Sequence, residues 1–144
     1  MTFQWSEYFD LAQALTGVST VTVTQEAKLR SAISRAYYSA YHQARLYLMG
    51  KGVQFTKSSL AHQSVAQFLS MSADRTLKSL GNDLTRLRDY RNEADYELVM
   101  SRNPTKIAPL AMQLAQNIIT TLTSMAPANP PGTGTPPSNS GGAP

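Results

Sequence analysis

A series of apolar residues spaced three and four positions apart constrains the fold of this chain more than any other feature. It consists of Leu77, Leu80, Leu84, Leu87, Ala94 and Leu98, with Arg91 at the position between Leu87 and Ala94. Such positions share one face of an α-helix, so the series predicts a long helix over about residues 74–100. A buried, unpaired charge costs several kcal/mol. Arg91 therefore requires either a partner or a face that opens to an anion.

Four further amphipathic segments predict helices over about residues 4–15, 24–49, 59–71 and from Asn103-Pro104 onward. In the first of these helices the residues expected to face inward are Trp5, Tyr8, Phe9, Ala12 and Leu15. The inward face predicted for the second helix is Leu29, Ile33, Ala36, Tyr37, Ala40, Ala44 and Leu48. The candidate caps are Thr22 with Gln25 for the second helix, Ser58 for the third and Asn103 for the fifth. The segment VSTVTV is predicted to be a loop, because a single short strand would have nothing to pair with. The pattern predicts an all-α, four- to five-helix up-and-down bundle over residues 1–125.

The composition changes after residue 125. The stretch APANPPGTGTPPSNSGG contains no charged or aromatic residue and is dense in proline, glycine, serine and threonine. Such a segment cannot bury enough apolar surface to offset its ordering entropy, so residues 126–144 are predicted to form a disordered tail. Its double prolines suit a proline-recognising domain, but the composition favours a passive tail.

Charge and residue usage exclude several classes of function. The chain has no cysteine and only two histidines, which rules out disulfides and thiolate metal sites and argues against a metal or cofactor. The N-terminal MTFQWSEYFD has no basic segment followed by an apolar run, and no stretch is apolar enough to cross a bilayer. A cytoplasmic protein is therefore expected. The net charge of +4 permits acidic partners, nucleic acid among them, without requiring one.

The first group of candidate site residues surrounds Arg91. Asp95 follows one helical turn later, where its carboxylate can reach the guanidinium, and the proximity predicts a carboxyl held further towards its ionised form. Arg88 lies one turn before Arg91, and Asn92 and Tyr96 add hydrogen-bonding groups. From periodicity alone, the favoured interpretation is a structural ion pair that clamps the helix to a neighbour or to a second subunit.

A second group lies on the second helix. Arg35, Tyr38, His42 and Arg45 form a stripe at helical spacing, and cations mixed with rings that can stack would suit RNA. The alternative is an amphipathic rim with buried rings and snorkelling arginines, which is favoured unless the stripe meets Arg91. His62, near the start of the third helix, is expected to be an ordinary surface or capping residue.

Three segments together resemble the HEPN superfamily, and more narrowly its small bacterial branch known as uncharacterised protein family 0332. They are RSAISRAYYSAYHQARLYLMGKG, SSLAHQSVAQFL and LTRLRDYRNEADYEL, and the resemblance covers roughly residues 7–123. It implies a helical bundle that forms a two-fold homodimer around an arginine motif. Many members are metal-independent ribonucleases of toxin–antitoxin pairs or defence systems, and the partner is often a minimal nucleotidyltransferase. In that motif the arginine holds the scissile phosphate, and a histidine four to six residues later assists attack by the ribose 2′-hydroxyl.

The chain departs from this motif in one respect. Arg91 and Asn92 match its first half, but Asp95 and Tyr96 stand where the histidine is expected, and an ordinary aspartate is a weak base at neutral pH. The leading hypothesis is an RNA- or nucleotide-binding module that acts with a partner. The alternatives are a ribonuclease that uses His62 or His42, and a helical scaffold. The catalytic candidates are Arg91, Asp95 and His62, and the RNA- or nucleotide-binding candidates are Arg35, Tyr38, His42, Arg88, Asn92 and Tyr96.

Overall fold

The computed structural model of the protein describes residues 2–17, 21–55 and 61–126. They form five helices: α1 (Glu7–Leu15), α2 (Gln25–Gly50), α3 (Ala61–Ser70), α4 (Arg75–Tyr96) and α5 (Pro104–Met125). No strand occurs among the described residues, so the prediction of an all-α bundle is confirmed for them. None of the helices in these ranges is long and apolar enough to span a membrane. The predicted cap Ser58 and, beyond Ala126, the predicted tail lie outside the described residues.

The helix ends follow from local side-chain chemistry. Asn103 caps α5 as predicted, since its side chain accepts a hydrogen bond from the Thr105 amide at 2.9 Å. The capping box of Thr22 with Gln25 is wrong: the cap of α2 is Thr24, whose hydroxyl oxygen accepts from the Ala27 amide at 3.2 Å. The preceding residues 21–23 lie in neither helix nor strand, in agreement with the predicted loop.

The central helix of the bundle is α2, which packs on α5, α4, α3 and α1. Small side chains allow these close contacts. On α2 they are Ala36, Ala40 and Ala44, and on α5 they are Ala108, Ala111 and Ala115, all buried. The residues predicted to line the inward face of α2 are likewise buried, with Leu29 partly so.

The apolar series that predicted α4 is buried from Leu80 to Ala94, and Leu77 in the first turn is partly buried. Leu84 and Leu87 are at most 1% exposed, Ala94 is fully buried, and Arg91 is 6% exposed in the same row. The helix ends at Tyr96 rather than near residue 100, so Leu98 lies beyond it and is half exposed. Arg91 therefore occupies a core position of α4, close to its C-terminal end.

The prediction for α1 is wrong in both its start and its face. The helix begins at Glu7, and the expected inward residues Trp5, Phe9 and Leu15 are 39%, 66% and 77% exposed. The segment is attached instead through Phe3, which is 3% exposed, and through the Tyr8 hydroxyl. That hydroxyl donates a hydrogen bond to the Ala94 carbonyl at 2.8 Å, so this segment contacts the end of α4.

Candidate functional site

A second buried arginine fixes the end of α4. Arg30 of α2 is fully buried, and Nη1 donates hydrogen bonds to the carbonyls of Ala94 at 3.1 Å and Glu97 at 2.6 Å. Its Nη2 donates to the Leu98 carbonyl at 3.3 Å, and its Nε donates to the Glu26 carboxylate at 3.0 Å. A cation at a helix C-terminus also interacts favourably with the helix dipole. Arg30 thereby holds in place the turn that carries residues 91–96.

Sequence reasoning missed Arg30, although a signal was present. Arg30 precedes Ile33, Tyr37 and Ala40 at helical spacing, so it interrupts an apolar series on α2 as Arg91 does on α4. The pattern places the charge in the core. It does not identify the backbone carbonyls that accept hydrogen bonds from Arg30.

Arg91 lies among three tyrosine rings. The centre of its guanidinium group is 5.0 Å from the ring centre of Tyr37, 5.4 Å from that of Tyr38 and 5.7 Å from that of Tyr96. Its Nη1 also donates a hydrogen bond to the Tyr96 hydroxyl at 3.2 Å. A cation near an aromatic face gains about 0.5–2 kcal/mol, depending on how far it is desolvated. The rings therefore stabilise the charge without neutralising it.

The ion pair between Arg91 and Asp95 that the sequence suggested does not form within the chain. Among the described residues no carboxylate forms an ion pair with Arg91, and Asp95 instead accepts a hydrogen bond from the Ser34 hydroxyl at 3.1 Å. In the same part of the structure, the Nε atoms of Arg91 and Arg88 are buried and have no hydrogen-bond partner. Two neighbouring guanidinium groups thus retain unused donors.

The protonation predicted for Asp95 is also wrong. Burial raises the pKa of this carboxyl above its ordinary value, and this effect outweighs the lowering by the Ser34 hydrogen bond and by the charges of Arg91 and Arg35. The sequence showed the nearby arginines but not the burial. Asp95 is consequently less acidic than an ordinary aspartate, not more.

The structure brings His62 into the same cluster, contrary to the expectation of an ordinary surface or capping residue. Nδ1 of His62 lies 2.8 Å from the Tyr37 hydroxyl oxygen, and the imidazole stacks on the Tyr41 ring at a centroid distance of 4.2 Å. We call Tyr37, Tyr38, Tyr41, Tyr96 and His62 the aromatic cluster.

Burial and nearby charges keep two members of the aromatic cluster, His62 and Tyr37, neutral. Burial lowers the pKa of His62, and the positive charges of Arg91 and Arg88 lower it further, with His42 adding to the effect. Burial raises the pKa of Tyr37 to about 12, which keeps its phenol protonated. At neutral pH the cluster therefore places a neutral imidazole close to Arg91 and Arg88, neither of which forms an ion pair within the described part of the chain.

Three of the four residues that the sequence predicted on α2 reach this cluster, whereas the guanidinium of the fourth, Arg45, lies over Phe55. We call Arg35, Tyr38, His42 and Arg45 the α2 stripe. The Tyr38 ring lies 5.3 Å from the Arg35 guanidinium and 5.4 Å from that of Arg91, so the α2 stripe meets Arg91. This contact removes the reason for preferring a plain amphipathic rim.

The remaining candidates flank the cluster. Asn92 and Arg88 are half-buried on the turns beside Arg91, and Tyr96, the last residue of α4, is 67% exposed. The sequence assigned Tyr37 to the core and did not single out Tyr41. Their spacing with Tyr38 and His42 in AYYSAYH was the available signal.

Comparison with known proteins identifies no relative. No protein-family model, no curated protein sequence and no solved structure matches this chain. A function is therefore inferred from the geometry of the site, together with the resemblance of its three helical segments.

Proposed function

We propose that the chain is a HEPN-like module that binds RNA or a nucleotide through a phosphate group at Arg91, with Arg88 beside it. One observation carries this proposal: the buried Nε atoms of both arginines have no partner, and neither side chain forms an ion pair among the described residues. Leaving such donors unsatisfied costs about 1–3 kcal/mol each, and more for charged groups. A phosphate oxygen would satisfy them.

The surroundings of Arg91 suit a nucleotide better than a simple anion. Guanidinium groups bind phosphate through paired N–H donors, and unstacked bases of RNA stack on aromatic rings. Tyr96 offers an exposed ring 5.7 Å from the Arg91 guanidinium, and Tyr38 offers a half-buried one. A phosphate on Arg91 would therefore have aromatic surface for its base within reach.

The test is binding of labelled total RNA and tRNA in the presence of EDTA. Wild type is compared with Arg91→Ala and with Arg86→Ala, which removes the same charge from an exposed position of α4. We expect wild type and Arg86→Ala to bind equally and Arg91→Ala to lose most of the affinity. Equal binding by all three proteins, or no binding by wild type, would contradict the proposed function.

A second candidate function is metal-independent cleavage of RNA, and the position of His62 favours it. The imidazole lacking in the turn after Arg91 is supplied from α3, where the Tyr37 hydroxyl hydrogen-bonds its Nδ1. A neutral imidazole can accept the proton of a ribose 2′-hydroxyl. The 2′-oxygen then attacks the phosphorus held by Arg91, and the 5′-oxygen leaves with a proton from water, giving a 2′,3′-cyclic phosphate.

This candidate has its own test. Cleavage without metal should yield 2′,3′-cyclic phosphate ends and should fail on RNA with 2′-O-methyl groups. His62→Gln is expected to lower cleavage by about 10²–10⁴-fold while leaving binding intact. Gln63→Ala, which changes an exposed residue next to His62 on α3, serves as the control. Binding without any cleavage would leave only the recognition module.

We further propose that the module acts as a two-fold homodimer with a partner such as a minimal nucleotidyltransferase, in a toxin–antitoxin or defence-type system. Exposed apolar side chains next to the site support an interface: Leu98 is 50% and Val99 is 66% exposed, directly after Tyr96. The partner and the system rest on the resemblance alone. Light scattering of wild type and Val99→Glu tests the dimer, and a monomeric wild type would contradict it.

A further inference from the structure

The distribution of acidic residues along the chain is uneven. The chain has nine aspartates and glutamates, yet residues 27–73 contain none of them. The same stretch contains six lysines and arginines: Lys28, Arg30, Arg35, Arg45, Lys51 and Lys57. It includes nearly all of α2 and all of α3. Four of the six cations lie on α2, whose sequence contains only one acid, Glu26, whereas α3 contains no lysine, arginine or acid.

The α2 stripe is the part of this stretch that meets Arg91. Arg35 and His42 are exposed, and Tyr38 and Arg45 are half-buried. Each arginine lies near a ring, since the guanidinium of Arg35 is 5.3 Å from Tyr38 and that of Arg45 is 5.9 Å from Phe55. The rings of Tyr38 and His42 are stacked at 6.3 Å. Two neighbouring rings, Tyr38 and His42, thus lie between two arginines along the helix.

The length of the α2 stripe exceeds that of one nucleotide. Ten residues separate Arg35 from Arg45, which corresponds to about 15 Å along the helix axis. At the rise of a stacked strand, about 3.4 Å per nucleotide, this distance spans roughly four nucleotides. A mononucleotide bound at Arg91 would leave Arg45 without a phosphate.

We infer that the site takes a single-stranded RNA segment of roughly four nucleotides, whose backbone runs along the α2 stripe from Arg91 towards Arg45. This inference rests on the proposed function and narrows its ligand from RNA or a nucleotide to a strand. A positively charged surface for the backbone, combined with rings on which the bases stack, is the pattern by which proteins bind single strands with little sequence preference. A duplex is excluded as the ligand, because its paired bases are not free to stack on Tyr38 and His42.

The acidic groups near the α2 stripe lie at one end. Asp95 is close enough to Arg35 for that arginine to lower the pKa of its carboxyl, whereas Arg45, ten residues further along α2, forms no ion pair with any carboxylate of the described residues. Phosphate binding is therefore expected to be most favourable towards Arg45. The gain in affinity with strand length should therefore depend most on Arg45.

The experiment measures binding of 2′-O-methyl oligoadenylates of one, two, four and eight nucleotides, which the alternative ribonuclease cannot cleave. Wild type should gain affinity from one to four nucleotides, by roughly five- to 150-fold for each additional stacked base, and then level off. Arg45→Ala should weaken binding of the tetranucleotide without affecting binding of the mononucleotide. For the tetranucleotide, the negative slope of log affinity against log salt should become less steep by about 0.7. Arg91→Ala should weaken both.

Lys51→Ala is the matched control. At 100° per residue, Lys51 lies on the opposite side of the α2 axis from Arg35, within the same stretch that lacks acids. Lys51→Ala should therefore leave the affinity for the mononucleotide and for the tetranucleotide unchanged. If one and four nucleotides bind with equal affinity, and only Arg91→Ala loses binding, the inference of a single-stranded ligand is wrong. The proposed function would still hold. Equal binding of a duplex would also overturn the strand. Absence of binding at every length would contradict both the inference of a single-stranded ligand and the proposed function.

Discussion

The phenol oxygen of Tyr37 lies 2.8 Å from Nδ1 of His62, so that a side chain of α2 is hydrogen-bonded to the first turn of α3. The same tyrosine presents its ring to the Arg91 guanidinium at 5.0 Å. Three helices therefore meet at Tyr37. Through it, a cation of α4 and an imidazole of α3 come close enough to affect each other's charge, as the lowered pKa of His62 indicates.

His62 is expected to titrate below its ordinary pKa of 6.5, because burial and the charges of Arg91 and Arg88 oppose its protonation. Histidine NMR signals, assigned with His62→Gln, should show this midpoint directly. In Arg91→Met the repulsion is removed, so the pKa of His62 should rise towards 6.5 while Arg86→Met leaves it unchanged. A midpoint at or above 6.5 in the wild type would contradict the site geometry.

The same shift makes stability depend on pH. Since the folded-state pKa of His62 is lower than its unfolded value, the unfolded chain binds more protons between the two values. This contribution to the unfolding free energy is complete above pH 6.5 and is lost as the pH falls through the folded-state pKa. Urea unfolding between pH 5 and 7.5 should show the loss in wild type and not in His62→Gln.

Arg91→Met tests whether Arg91 is retained for stability or for binding. Even a buried ion pair can often be replaced by apolar side chains of similar volume with no loss of stability, or with a gain of about 1–4 kcal/mol, and a buried charge without a carboxylate has no ion pair to lose. We therefore expect the unfolding free energy in urea to be unchanged or raised, while RNA binding is lost. A decrease of about 3–5 kcal/mol would instead show that Arg91 is a structural ion pair.

Arg30→Met should have the opposite effect, although Arg30 is also a buried arginine of the core. Its guanidinium satisfies the carbonyls of Ala94, Glu97 and Leu98. Its removal should lower the unfolding free energy by about 3–5 kcal/mol, because these groups and Glu26 lose their partner. Lys28→Met, at an exposed position of α2, should change it by less than about 0.5 kcal/mol. Equal stability of Arg30→Met and wild type would contradict the observed hydrogen bonds.

The comparison of these two arginines shows what the sequence could predict. Periodicity identified α2 and α4, their buried faces and the charge at position 91, because helical spacing is a local property of the chain. It could not identify partners that other elements supply. The carbonyls bound by Arg30 lie more than 60 positions away in sequence, and His62 and Tyr37 are 25 positions apart.

Two other predictions were wrong because burial is a property of the assembled fold. The apolar residues Phe9 and Leu15 of α1 are largely exposed, although their place in an apolar pattern suggested a core contact. The carboxyl of Asp95 was expected to respond to Arg91, but desolvation has the larger effect on its pKa. In both cases the residue types could be read from the sequence, but their surroundings in the fold could not.

Gly81→Ala tests the packing of α3 on α4, which holds His62 in place. A Cβ atom at Gly81 would lie 2.4 Å from the Ser70 hydroxyl oxygen and 2.5 Å from the Ser70 amide nitrogen, too close without a shift of α3. Overpacking of this kind costs about 1–3 kcal/mol.

The matched control is Gly50→Ala, since a Cβ at the last residue of α2 would meet nothing within 4 Å. This substitution should be neutral, or stabilising by up to about 1 kcal/mol through helix propensity. Urea unfolding should therefore separate the two variants, and the NMR midpoint of His62 should move only in Gly81→Ala, because a displaced α3 weakens the bond to Tyr37. Equal stability of both variants would show that α3 and α4 do not approach as closely as the structure places them.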